Sequence, residues 1–267
     1  MTARSGVAEA LADTKAAGRA ALVGYLPAGF PSVDASIELI EAMVDNGVDI
    51  VEVGLPYSDP VMDGPTISSA AHLALENGTR TADVFRVVES AAARAPTQVM
   101  TYWNPVERYG VERFSADLAG AGGAGLITPD LIPDEATEWI EAADRHDLDK
   151  VFLVAPSSSQ QRLAQTAAAS RGFVYATAVM GVTGAREASS TAAPTLVERL
   201  RTVTDQPVGV GLGVSNAAQA AEVAAYADAV IVGSALVRCV LDADGQSAAV
   251  RALAELAAAL AGGVRDR

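Results

Sequence analysis

Short apolar runs rich in β-branched residues alternate along the chain with longer stretches whose apolar positions recur at helical spacing. The pattern predicts strands at residues 20–26, 49–54, 98–102, 125–127, 150–154, 173–177, 207–211 and 229–232. These runs are apolar on both faces, as strands buried on both sides of a parallel sheet are. Amphipathic helices are expected between them, among others at 33–46, 83–94, 160–169 and 215–224. Eight strand-then-helix units within about 250 residues predict a closed TIM (β/α)8 barrel, with an open doubly wound sheet as the alternative. No Ser/Gly/Pro linker, charge block or low-complexity run interrupts the sequence, so residues 1–267 are expected to form a single domain.

A barrel of this kind places its chemistry at the C-terminal ends of the strands and on the loops that follow. Glu52 lies near such an end, in the run Ile50-Val51-Glu52-Val53-Gly54. Strand alternation turns Ile50, Glu52 and Gly54 into the barrel and Val51 and Val53 toward the helices. A carboxyl group in apolar surroundings has its pKa raised, which suits it to proton transfer near neutral pH; the structural alternative is a buried Glu satisfied by an Arg or by backbone N–H groups. Asp59 and Asp63 follow on the next loop, where Pro56, Pro60 and Pro65 restrict the backbone. Tyr25, Tyr102 and Tyr175 also fall at strand ends and are expected to face the same mouth, either as rim packing or against a polar or aromatic ligand.

Composition narrows the chemistry further. A formal net charge of −14 with dispersed basic residues argues against a nucleic-acid partner. A small anion can still be held by backbone N–H groups, and three glycine-bearing turns stand ready after strands six, seven and eight: Gly181-Val182-Thr183-Gly184, Gly211-Leu212-Gly213 and Gly233-Ser234. Phosphate binding is expected there. Schiff-base chemistry is not, because the two lysines, Lys15 and Lys150, precede the first strand and open the fifth, at the opposite end of the barrel. His72 and His146 lie in helical segments without ligand spacing, so no metal site is expected, and Cys239 sits in an apolar run as a core residue. With no long apolar segment and no signal-peptide hydrophobic region, a cytoplasmic protein is expected. Carboxylate acid–base chemistry on a phosphorylated substrate remains.

These motifs make the chain similar to the tryptophan synthase α subunit family over nearly its whole length. The residues that carry the resemblance are Val51 through Pro60 with Asp63-Gly64-Pro65, then Pro129-Asp130, Gly181 through Gly184, Gly211-Leu212-Gly213 and Gly233-Ser234-Ala235. The resemblance implies retro-aldol cleavage of indole-3-glycerol phosphate to indole and glyceraldehyde 3-phosphate with no cofactor of the chain's own. It also implies a β subunit that binds pyridoxal phosphate and receives the indole, in an α2β2 complex. By the same resemblance, Glu52 is the general acid–base and Asp63 the carboxylate at the indole N–H, with Tyr175 beside the acid–base; Glu52 is then expected to be largely buried with a raised pKa, and Asp63 to stand ionised on an exposed loop. Thr183 then belongs to a loop closing over substrate; Gly184, Gly213, Gly233 and Ser234 form the phosphate cradle; Asp59 and Pro60 face the partner. Two departures stand out: Pro27-Ala28-Gly29-Phe30-Pro31 where many members have Gly-Asp-Pro, and Ala178 where serine is common. Both touch the pocket lining rather than the proton chemistry. A free-standing lyase, or another phosphate-binding barrel enzyme of the same pathway, are the alternatives.

Overall fold

The computed structural model describes residues 6–177, 192–211 and 213–265. Eight parallel strands pair in chain order and close on themselves: β1 Ala21–Pro27, β2 Ile50–Gly54, β3 Thr97–Met100, β4 Gly125–Thr128, β5 Asp149–Val154, β6 Val174–Thr177, β7 Val208–Gly211 and β8 Ala229–Val232. The expected barrel is therefore present, and the doubly wound alternative is not. Strand bounds fall within a residue or two of those expected. The largest difference is at β3, which ends at Met100 because Tyr102 already serves as the N-cap of the helix Trp103–Tyr109.

Alternation sorts the strand residues into two shells. Ala21, Val23, Ile50, Ile127, Val151, Phe173, Ala229 and Ile231 fill the inside of the barrel, whereas Leu22, Val51, Val53, Val99, Val208 and Val230 pack outward against the helices. The first helix, Gly6–Ala16, sends Val7 and Leu11 into the inner cluster and so belongs to the barrel's N-terminal end. Several helices start on side-chain caps that the sequence supplies. Ser32, Ser159 and Asn216 each accept a backbone N–H from three residues on, fixing the first turns of Val33–Asp45, Gln160–Ala169 and Ala217–Ala224.

The N-terminal end of the barrel is fastened by ion pairs. Arg19 donates through both terminal nitrogens to Asp49, at 2.7 and 2.8 Å, and Asp49 also accepts the Leu22 N–H. Arg171 donates to the wholly buried Asp149 at 2.9 Å, and Arg201 pairs with Asp228, which accepts the Val208 N–H as well. Lys150 is engaged here with Asp144. Lys150 is thus held at this end, as its place in the sequence predicts.

Candidate active site

Glu52 sits on β2 with its neighbours Ile50 and Gly54 turned inward, between Tyr25 of β1 and Gln98 of β3 in register. It is 1% exposed, and its Oε1 has no hydrogen-bond partner among the described residues. No arginine among the described residues reaches it, so the alternative of a salt-bridged structural glutamate finds no partner there. Loss of water is the cause that lifts its pKa from the usual carboxyl range to about 8. The group is accordingly protonated at neutral pH and near the point of titration.

Two tyrosines stand beside it. Tyr25 lies across the mouth with its ring against Gly54 and Gly233; a Cβ at Gly54 would collide with the Tyr25 hydroxyl. Tyr175 on β6 does the same over β7, where a Cβ at Gly211 would lie 2.5 Å from its hydroxyl. Glycine at 54 and 211 therefore makes room for phenols. Both hydroxyls are held neutral, Tyr25 by burial and the negative charge of Asp63 and Glu52, Tyr175 by burial and Glu52. Tyr25 thus senses both candidate carboxyls, and Tyr175 senses Glu52.

Asp63 stands on the loop after β2, just ahead of the helix Pro65–Glu76. The Tyr102 hydroxyl donates to its Oδ1 at 3.0 Å and accepts the Met62 N–H at 3.0 Å, which ties the loop to the end of β3. The sequence suggests an exposed, ionised Asp63; the structure makes it half-buried instead. Burial raises its pKa, and the Tyr102 hydrogen bond pulls it back down. Tyr102 is more than rim packing, since its hydroxyl is the group that favours the Asp63 carboxylate.

Across the mouth, Gly213 has a φ of +66°, and Gly233 precedes the helix Ser234–Leu241, whose first turn has no side-chain cap. A helix N-terminus without a side-chain cap has backbone N–H groups that can donate to an anion. Thr183, Gly184 and the departure at Ala178 lie outside the described residues. Among the described residues no His, Cys, Asp and Glu gather as a metal site, and no helix is long and apolar enough to cross a membrane. His72 lies on Pro65–Glu76, and His146 directly follows Thr137–Arg145 and pairs with Glu112; Cys239 is partly buried against the core.

Outside the mouth, a cleft of about 480 Å³ runs between Tyr57, Ser58 and Asp59 on one side and Asn104, Pro105 and Arg108 on the other. Asp59 is exposed, Pro60 half-exposed, and the neighbouring Val61 is 76% exposed. The residues from 104 to 108 were not singled out in the sequence. Their signal, a short Pro-containing helix directly after a strand end, is common to many loops.

The family model for tryptophan synthase alpha chains matches residues 11–265. The chain belongs to that family. It is 62% identical over 260 residues to the tryptophan synthase alpha chain of Acidothermus cellulolyticus, covering 97% of each chain. It is 59% identical to that of Nocardia farcinica, covering 100% of this chain and 98% of the relative. Among solved structures, Mycobacterium tuberculosis tryptophan synthase superposes with a TM-score of 0.93 at 54% identity, over 98% of this chain and 99% of that one. The alpha subunit from Legionella pneumophila retains a TM-score of 0.90 at 27% identity, over 99% of this chain and 100% of that one.

Proposed function

We propose that Glu52 and Asp63 carry the proton chemistry of a carbon–carbon lyase, the cleavage of indole-3-glycerol phosphate that tryptophan synthase alpha chains perform. The observation that supports this reading best is Glu52 itself: a carboxyl at the mouth, wholly buried, without a cation among the described residues, and poised to titrate near pH 8. Protonated Glu52 delivers its proton to C3 of the indole ring, leaving a positive charge spread toward the ring N–H. Ionised Asp63 faces that charge. The Glu52 carboxylate then takes the proton of the glycerol hydroxyl; the C–O bond becomes a carbonyl, and the electrons of the breaking C–C bond return to the ring. Indole and glyceraldehyde 3-phosphate result, and Glu52 is protonated again.

Tyr25 and Tyr175, locked neutral, shape the pocket around the ring without competing for the proton. The backbone N–H groups at Gly213 and of Gly233–Ser234 bind the phosphate, with Gly184 assigned to the same task and Thr183 to the loop that closes over substrate from the family resemblance. The partner is the β subunit of tryptophan synthase, which supplies the pyridoxal phosphate chemistry that consumes indole. We assign its docking surface to Asp59 and Pro60, a reading supported by the adjacent 480 Å³ cleft and the exposed Val61. Indole release by the full chain, wild type against Glu52→Gln, tests the reading: retention of more than about a tenth of the rate removes Glu52 from the mechanism.

A further inference from the structure

One buried group in the barrel is used neither by packing nor by the mechanism above. Gln98 on β3 is wholly buried, points inward on the same parity as Met100, and is the register partner of Glu52. Both its Nε2 and its Oε1 lack a hydrogen-bond partner among the described residues, and so does the Glu52 Oε1 beside them. Buried polar atoms are almost always satisfied, so three orphans on two neighbouring inward positions form one unmet set rather than three accidents.

The stereochemistry links them. Glu and Gln are isosteric, so from register-paired Cα atoms their end groups reach the same depth into the barrel. Adjacent strands lie roughly 4.8 Å apart, and since the two end groups do not bond each other directly, one bridging water spans the gap. An amide also suits a group that must exist in two protonation states. Its carbonyl accepts from the carboxylic acid, and its N–H donates to the carboxylate. No aliphatic side chain offers both.

We propose that Gln98 is a positioning residue for Glu52, holding its carboxyl in the orientation for proton transfer and serving both of its protonation states through the same amide. The inference rests on the acid–base reading of Glu52. The other titratable groups around Glu52 are Tyr25 from β1 and Tyr175 from β6, with Asp63 and Tyr102 beyond Tyr25. The phenols stay neutral through the working range, and no cation among the described residues acts on Glu52. Gln98 is thus the register partner that brings an amide beside Glu52 in the strand ladder.

Gln98→Met removes the amide and keeps the length of the side chain. In the full-length protein, kcat for indole release falls about tenfold or more, the worth of one hydrogen bond to an ionisable group, while KM for indole-3-glycerol phosphate stays within about twofold. The basic limb of the rate profile, set by Glu52, moves to higher pH, because a thioether in place of an amide favours the neutral acid. Gln98→Asn, which keeps an amide on a shorter stem, recovers part of kcat. Unchanged kcat and an unmoved limb in Gln98→Met overturn the proposal, as does a loss shared equally by kcat and KM with no movement of the limb. If Gln98→Met fails to fold, a high-resolution crystal structure of the wild-type chain decides. An amide bonded to Glu52 directly or through one ordered water supports the proposal, and an amide bonded only to other groups overturns it. Glu52→Gln measured alongside separates the two failures. An active Glu52→Gln ends the acid–base reading itself, whereas an inactive Glu52→Gln beside a fully active Gln98→Met ends only the role of Gln98.

Discussion

At the N-terminal end of the barrel, Asp49, Asp149 and Asp228 stand where strands begin, and each meets a guanidinium: Arg19, Arg171 and Arg201. At the C-terminal end, Glu52 is as thoroughly buried as Asp149 yet faces two phenols and an amide, with no cation among the described residues. The same strands support both arrangements. A buried carboxylate that only had to be tolerated would be paired, as Asp149 is; one left alone weakens the fold and gains a raised pKa in exchange. The comparison separates carboxylates that hold the barrel closed from the one proposed to give it chemistry, without reference to any substrate.

The most direct way to break that separation is at Glu52. Glu52→Gln keeps the shape and removes the proton, so indole release is expected to fall by about 10²–10⁴ with the fold intact. Steady-state rates together with circular dichroism check it. Asp63→Asn is expected to lower turnover by on the order of 10², because an amide cannot offset the charge that develops on the ring. Activity falling only in step with folded protein would make Asp63 structural.

The opposite end should show the reverse signature. Arg171→Ala leaves Asp149 buried without its guanidinium and is expected to destabilise the chain by about 3 kcal/mol, while kcat per folded molecule stays unchanged. Urea unfolding read beside the indole assay would show whether rate and stability divide between the two ends as described.

Glu52 also has a stability of its own to reveal. Its pKa rises from 4.5 in the unfolded chain to about 8 in the folded one. Between those values the folded state holds a proton that the unfolded state has lost, so wild-type stability declines as pH rises from 4.5 toward 8. Glu52→Gln lacks this slope. The variant is expected to be more stable than wild type at pH 9, by on the order of 1–3 kcal/mol, with the difference shrinking toward pH 5. Parallel unfolding midpoints at both pH values would mean that Glu52 is not buried as a neutral acid.

How much of this was legible in the sequence follows from which features are local. The barrel was, because eight apolar runs at regular spacing leave few other closures, and Glu52 was, because an acidic residue in such a run is conspicuous. The packing of Val7 and Leu11 into the barrel was not, since an amphipathic first helix does not say which surface it covers. Gln98 was passed over for a related reason. Its run reads as apolar, and only the closed register brings its amide beside Glu52. Asp63 was assigned to solvent because it stands among prolines and glycine; the Tyr102 hydroxyl that half-covers it comes from another strand end 39 residues away. Thr183 and Gly184 rest on the family resemblance alone.

The smallest expected effect tests the finest part of the comparison, the tuning of Asp63. Tyr102→Phe removes one hydroxyl that donates to Asp63 and accepts from the Met62 N–H, both at 3.0 Å. The ring, packed 5.4 Å from Tyr57, stays. Burial already raises the Asp63 pKa, and the Tyr102 hydrogen bond is what lowers it. Without that bond the carboxyl protonates at higher pH, so the acid limb of the rate profile should shift upward. At pH 7.5 the loss should be only about two- to fivefold, since one hydrogen bond is worth about 1 kcal/mol net. At pH 5.5 the deficit should widen. A deficit that is the same at both pH values would show that Tyr102 anchors the loop without setting the charge of Asp63, and the asymmetry between the barrel's two ends would then rest on Glu52 alone.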